Sequence, residues 1–325
     1  PVEEFLKQAI PQVTQENKVG KDPKDLTGPF PIEYQERLQR RVTADIGFDF
    51  NRGLMFVTDV HPSCYGAPDD MRFTTRCHER EYIEGLRAAV HEAGHGIYEQ
   101  NTPADLKYQP VGQTAGMTIH ESQALFWEKQ IGNHPAFYRY LAPLLEEEFS
   151  ISPTDEAFRP ENLEAQSKSV QPHFIRVESD EMTYPMHIFL RFDLEKKIMD
   201  KSLRARDIPE AWNADMMERL GITPPDDGLG CIQDIHWALG HFGYFPSYSL
   251  GAMIAAQLFT TLKKDMPDVD VRIAKGDFLP IKNWLTEKIH AKGSLYKPLD
   301  LVENATGQKM SSDSFISHLK SRYLP

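Results

Sequence analysis

The chain has 325 residues, 40% of them hydrophobic and 26% charged, with a formal net charge of −12 and a mean hydropathy of −0.49. That is enough apolar content for one large core or two modest lobes. The acidic balance argues against nucleic acid as a partner, and no apolar run is long enough for a membrane span.

Cys64, Cys77 and Cys231 form no CxxC pair and are odd in number. This suits a reducing compartment, so a cytoplasmic location is expected. The start, Pro1-Val2-Glu3-Glu4, resembles neither a signal nor a transit peptide, and its lack of methionine suggests a processed or truncated chain.

The first 40 residues read as a helix, a turn around Thr27-Gly28-Pro29, and a short helix near Glu33 to Arg41. From Ile46 to Val60 the pattern Phe48, Phe50, Leu54, Phe56, Thr58 around Asn51-Arg52-Gly53 predicts a β-hairpin. Met71 to Arg76 predicts a further strand. Next, Ile83, Leu86, Val90, Gly94 and Ile97 follow a 3.6-residue repeat, and Asn101-Thr102-Pro103 supplies a stop. Lys107 to Met117 is expected to add an edge strand, and everything after Glu121 is helical by pattern. Asp207 and Pro209 open one helix that stops at Gly221; Ser247 can cap another running toward Pro267.

The chemistry lies in His91-Glu92-Ala93-Gly94-His95. Residues i and i+4 share a helix face, so both imidazoles can converge on one metal while Glu92 lies beside it as the base. A catalytic zinc takes three protein ligands and leaves one position for water, whose pKa falls to about 7. The plain alternative is a chance match, with two ordinary polar histidines on a partly exposed helix. The third ligand decides between them.

Tyr98 and Asn101 stand where a metzincin needs glycine and histidine, so that class is excluded. Glu121, opening an apolar stretch with Ile119, Leu125, Phe126 and Trp127, is the candidate. The competing reading is a capping box, with Glu121 closing a helix that Thr118 starts. His120 is the weaker ligand candidate, because adjacent helical residues point about 100° apart.

Beyond this site the chain resembles the carboxypeptidase Taq family of metallocarboxypeptidases. The shared motifs are His61-Pro62, Asp70-Met71-Arg72-Phe73-Thr74, His120-Glu121-Ser122-Gln123, Ile175-Arg176-Val177-Glu178, and Gly230-Cys231-Ile232-Gln233-Asp234-Ile235-His236-Trp237 running into Phe242-Gly243-Tyr244-Phe245-Pro246-Ser247-Tyr248. The resemblance implies a mainly α zincin-like fold with a small β-sheet and the active-site helix at the base of a cleft. It also implies a homodimer that removes single residues from peptide C-termini with broad preference. It assigns the metal to His91, His95 and Glu121 and general acid/base work to Glu92.

By the same resemblance, Arg176 grips the substrate's free terminal carboxylate, which a guanidinium can meet with two parallel hydrogen bonds. The competing reading for Arg176 is a salt bridge to Glu178 or Asp180. His236, Tyr244 and Tyr248 are expected to stabilise the oxyanion and hold the peptide, with aromatic packing as the alternative. His61 and Arg72 are expected to line the closed end of the cleft. Asp70 and Asp234 read as structural, orienting Arg72 and His236.

One catalytic domain over 1–325 is expected: a small sheet over 46–76, metal-site helices over 78–135, and a helical part with substrate-binding motifs over 161–325. Zn²⁺ is the expected cofactor, with Co²⁺ and Mn²⁺ also able to occupy a His₂Glu site. Two departures qualify the family reading. Ser63 replaces the phenylalanine of the family's usual His-Pro-Phe, and the position of HEAGH implies that about a third of the usual length, a helical segment covering the cleft, is missing. Two other functions therefore stand beside the carboxypeptidase: an endo-oligopeptidase of the same zincin group, and a non-catalytic metal-binding subunit derived from the peptidase.

Overall fold

A computed structural model describes residues 1–17 and 23–324. Among them the helices are α1 (Val2–Asn17), α2 (Ile32–Asp45), α3 (Ile83–Gln100), α4 (Met117–Leu125), α5 (Pro135–Phe149), α6 (Pro160–Ser167), α7 (Tyr184–Met199), α8 (Ile208–Leu220), α9 (Pro246–Asp265), α10 (Val269–Ala274), α11 (Leu279–Lys288), α12 (Pro298–Thr306) and α13 (Asp313–Tyr323). One sheet joins β1 (Gly53–Val57), β2 (Cys64–Ala67) and β3 (Asp70–Thr75) in the order β1-β3-β2. The architecture is mainly helical, as expected. None of the described helices is long and apolar enough to cross a membrane, and all three cysteines are free.

The chain divides into two compact units, one made of Pro1–Asp22, Lys168–Leu250 and Phe315–Pro325, the other of Pro23–Ser167 and Gly251–Ser314. In the larger, second unit the sheet is the platform for α3. Alternation puts Met55, Met71 and Phe73 inside and leaves Leu54, Phe56, Tyr65 and Arg72 outside. Phe48 packs edge-on against Phe73 with ring centroids 4.9 Å apart, and Leu86, Ala89, Val90, Ala93 and Ile97 turn the apolar stripe of α3 into the core.

Two sequence expectations fail here. The segment Ile46–Val60 is not a hairpin: β1 pairs in parallel with β3, Gly53 opposite Met71, and β2 pairs antiparallel with β3. The stretch before β1 is a turn instead. Asp49 accepts a hydrogen bond from the Asn51 amide and pairs with Arg52, while Gln100 of α3 bonds both the amide and the carbonyl of Asp49. With its polar groups held that way, the stretch has no reason to pair as a strand. Lys107–Met117 forms no strand either; it holds a one-turn helix at Pro110–Gly112, and the Ser294 amide and hydroxyl donate to the carbonyls of Val111 and Pro110. The start of β3 near Met71 and the ends of α3, α8 and α9 fall where the sequence signals put them, with Gly221 in the left-handed region closing α8.

The smaller unit packs α7 with α8 and α1, burying Leu190, Leu194, Trp212, Met216, Leu6 and Val13. A third expectation fails in this unit: the segment from Asp226 to Phe245, read as helical by pattern, is irregular, and side chains tie it to the helices. Glu195 accepts from the Trp237 indole at 2.9 Å and from the Gly243 amide at 3.0 Å, and Gln233 accepts from the Arg176 amide and from Arg191, each at 2.8 Å. Asp234 receives Arg176 through Nε and Nη2, at 3.1 and 2.8 Å, on one oxygen and Arg191 through Nε, at 2.6 Å, on the other. Burial alone would raise the Asp234 pKa, but the two guanidiniums outweigh it and hold it at about 2.

Removing that carboxylate leaves two buried cations facing each other. Asp234→Ala is expected to cost about 3–5 kcal/mol in chemical denaturation, the loss typical of a broken buried ion pair. The carboxylate's folded pKa is depressed, so its contribution is present above pH ~4 and disappears as the pH falls toward 2. A loss below about 1 kcal/mol for the variant would show that the triad does not hold the segment.

Candidate metal centre

Helix α3 presents His91 and His95 one turn apart, with ring centroids 4.9 Å apart and ring planes at 83°. Helix α4 crosses it closely enough that a Cβ at Gly94 would lie 2.7 Å from the Ala124 Cα. On α9, a Cβ at Gly251 would meet the Glu121 side chain at 2.8 Å. These two glycines let backbones approach where a methyl group would force them apart.

The result is that Glu121 lies over both imidazoles. Its carboxylate oxygens are 4.0 Å from His91 Nε2 and 3.6 Å from His95 Nε2, and one ligand atom from each of the three residues lies within 4.8 Å of the others. Glu121 is not a capping residue: Gly116 occupies the helix start, so Thr118 is already inside α4. His120 meets the edge of the His95 ring instead, with centroids 4.7 Å apart and planes tilted by 41°.

Two imidazoles and a buried carboxylate are a donor set that could hold a divalent metal ion. The outer nitrogens of both rings support the fit. His91 Nδ1 is 2.9 Å from Glu128 Oε2, and His95 Nδ1 is 2.6 Å from His120 Nδ1. With Nδ1 of each ring engaged elsewhere, each Nε2 is left to face Glu121. A metal-bound histidine characteristically directs its other ring nitrogen to such a partner.

The electrostatics agree. Burial lowers the His91 pKa, yet Glu121 and Glu128 outweigh it and raise it to about 9, the mark of a cavity that favours positive charge. Burial, reinforced by Glu121 and Glu128, pushes Glu92 up to about 7 against the pull of His91. Glu92 is 8% exposed and sits on the same helix between the two histidines.

Arg176, His236, Tyr244 and Tyr248 are brought together within the smaller unit. The Arg176 guanidinium is 4.7 Å from the Tyr248 ring centre, His236 Nε2 is 3.0 Å from the Tyr248 hydroxyl, and the His236 and Tyr244 rings are 5.3 Å apart. The acid paired with Arg176 is Asp234, not Glu178 or Asp180, and Arg176 also donates to the Tyr184 hydroxyl. Asp234 does not orient His236: its oxygens serve the two arginines and remain 3.9 Å from His236 Nδ1. Arg72 and His61 are exposed at the sheet, with Arg72 forked onto Asp70 at 3.0 and 2.9 Å.

Sequence reasoning missed Glu128, Glu99 and Gly251. The first two carried a signal: Glu99 extends the four-residue series of His91 and His95, and Glu128 follows Glu121 by seven. Gly251 carried none, because its role is to fit a residue distant in sequence.

Known proteins match this chain in sequence and in fold. A sequence profile described as Carboxypeptidase Taq (M32) metallopeptidase covers residues 2–323. Carboxypeptidase 1 of Bacillus subtilis (strain 168) is 40% identical over 325 residues, covering 98% of this chain and 64% of that protein. Thermostable carboxypeptidase 1 of Pyrococcus furiosus is 36% identical, covering 99% of this chain and 64% of that protein. In structure, Trypanosoma cruzi metallocarboxypeptidase 1 superposes with a TM-score of 0.95 at 38% identity, over 100% of this chain and 67% of that one. The chain thus spans 64% of the length of the two curated relatives. By motif, profile and fold, it belongs to the carboxypeptidase Taq (M32) family of metallopeptidases.

Proposed function

We propose that this chain carries the catalytic machinery of a metal-dependent carboxypeptidase that releases single residues from the free C-terminus of peptides, with broad side-chain preference. The observation that carries the reading is a buried Glu92 beside a His91, His95 and Glu121 donor set, in a chain of this family. Residues 1–325 are read as one catalytic domain, active as a homodimer in the cytoplasm. Zn²⁺ is the preferred ion, with Co²⁺ or Mn²⁺ as substitutes.

When bound, the metal supplies Lewis acidity that polarises the scissile carbonyl and acidifies a water molecule. Glu92, buried beside the donor set, takes up a proton from water and returns it to the leaving amine. Glu128 fixes the His91 ring by its 2.9 Å contact to Nδ1. Arg176 grips the terminal carboxylate of the substrate. Three of its five N–H bonds go to Asp234 and Tyr184, which keep the planar fork in one orientation. Tyr244, Tyr248 and His236 supply donors to the developing oxyanion and to the peptide, each worth roughly 3 kcal/mol in a dry site. Arg72 and His61 contact the C-terminal residue.

Mass spectrometry of the zinc-loaded chain with one peptide, as free acid and as C-terminal amide, tests the reaction class. Stepwise loss of single residues from the free acid alone is expected; equal internal cleavage of both forms would make the chain an endo-oligopeptidase.

Glu92→Gln should retain zinc and lose about 10²- to 10⁴-fold in turnover, the usual range for a general acid/base. Unchanged turnover would exclude Glu92 as the base, and no turnover by the zinc-loaded wild type would favour a subunit in which the metal is structural.

Arg176→Lys keeps the charge beside Asp234 but loses the fork. We expect kcat/KM on free-acid peptides to fall about 10- to 100-fold, mainly through KM, the worth of one charge-assisted hydrogen bond. A folded variant that hydrolyses such peptides with wild-type KM would exclude the carboxylate role.

A further inference from the structure

His95 and His120 meet through like atoms. Their Nδ1 atoms are 2.6 Å apart, so one ring must donate the proton between them and the other must accept it. The far side of His120 and the role of His95 together fit one of the two. Its Nε2 is 3.0 Å from Glu99 Oε1, and an ionised carboxylate only accepts, so this nitrogen carries the hydrogen. With His95 Nε2 reserved for the metal, its Nδ1 carries the one hydrogen of that ring, and His120 accepts it on a bare Nδ1. His95 Nε2 then presents its lone pair 3.6 Å from Glu121.

We propose that Glu99 and His120 are positioning residues that set the tautomer of His95 and aim its Nε2 at the metal. The proposal rests on the reading of His91, His95 and Glu121 as the ligand set.

The placement of both residues follows from helix geometry. His91, His95 and Glu99 recur every four residues along α3, so Glu99 stands one turn beyond His95 on the same face. On α4, His120 and Glu121 are adjacent and point about 100° apart, one toward the His95 ring edge and the other over its Nε2. Tyr98 packs on the His120 ring at 5.3 Å. The two metal histidines are thus oriented differently: His91 directly by the carboxylate of Glu128, and His95 by a carboxylate acting through a second imidazole.

The reverse arrangement has a definite consequence. With the proton on His120 Nδ1, His95 Nδ1 becomes the acceptor, Nε2 carries hydrogen, and the ring cannot coordinate. The position of the hydrogen on each of the two rings separates the cases.

The test uses the full chain loaded with zinc and labelled with ¹⁵N at the histidine rings, with resonances assigned by single substitutions. The expected pattern is a hydrogen on His120 Nε2, a bare His120 Nδ1 and a hydrogen on His95 Nδ1; a hydrogen on His120 Nδ1 overturns the proposal. Zinc affinity by chelator competition supplies an independent reading. His120→Phe and Glu99→Leu should each weaken binding by about 10- to 100-fold, the cost usual for outer partners of metal histidines. His120→Asn, whose amide oxygen can accept from His95 Nδ1, should recover part of that loss. Wild-type affinity in both the Phe and Leu variants, with metal-free melting curves unchanged, overturns the relay. Failure of the wild type to bind zinc, or undiminished binding by His95→Ala, instead overturns the ligand set and takes the relay with it.

Discussion

A carboxylate from one helix reaches two histidines on another only when the helix backbones nearly touch, and everything at the metal centre depends on that approach. Gly94 removes the side chain at the crossing of α3 and α4, where a Cβ would stand 2.7 Å from the Ala124 Cα. Gly251 does the same for α9 against the Glu121 side chain. Backbones this close allow a short side chain such as glutamate to place its oxygens 3.6 to 4.0 Å from both Nε2 atoms. Bulk at either position would move a ligand by more than a coordination bond tolerates, since metal–ligand distances must hold within about 0.2 Å.

Burying a set of polar groups in this way imposes a second requirement, that each outer nitrogen find a partner. The continuation of α4 into a π-helical turn over Phe126–Ile131 carries Glu128 to His91. Such widened turns occur mostly at functional sites. Lys129, whose amine is 2.6 Å from the same carboxylate, and the His91 ring outweigh the cost of burying it and hold the Glu128 pKa well below the usual range. On the other side His120 and Glu99 do the equivalent work for His95. The centre is therefore a small ordered network, and the three ligands account for only part of its geometry.

The smaller unit meets the same physical demand with a different solution. Its segment from Asp226 to Phe245 has no strand or long helix, so its backbone is satisfied by successive turns and buried side chains tie those turns to the helices. Asp234 lies between two arginines and Glu195 joins an indole to a backbone amide. Buried charges of this kind contribute less to net stability than to uniqueness: any other arrangement leaves a guanidinium unpaired in the interior. Arg176, the residue that the family resemblance assigns to the substrate carboxylate, is thereby held in a fixed orientation before any substrate arrives.

What was legible in the sequence was whatever depends on neighbours along one helix. The turn-to-turn spacing of His91 and His95, the position of Glu92, and the helix ends at Asn101 and Gly221 are local properties of a 3.6-residue period and of stop signals. Glu121 was legible as a candidate, since its alternative as a cap was equally local. The structure chose between them because Gly116, rather than Thr118, starts α4. The features misread or missed are the non-local ones. β1 finds its partner in β3, beyond an intervening strand, and Asp234 prefers Arg176 and Arg191 to the neighbouring His236. The roles of Glu99, Glu128 and Gly251 likewise exist only once α3, α4 and α9 have packed. Periodicity specifies which face of an element a residue occupies; only the packing of elements decides what that face meets, because contact distances of a few ångströms are set by the bulk of residues far apart in the chain.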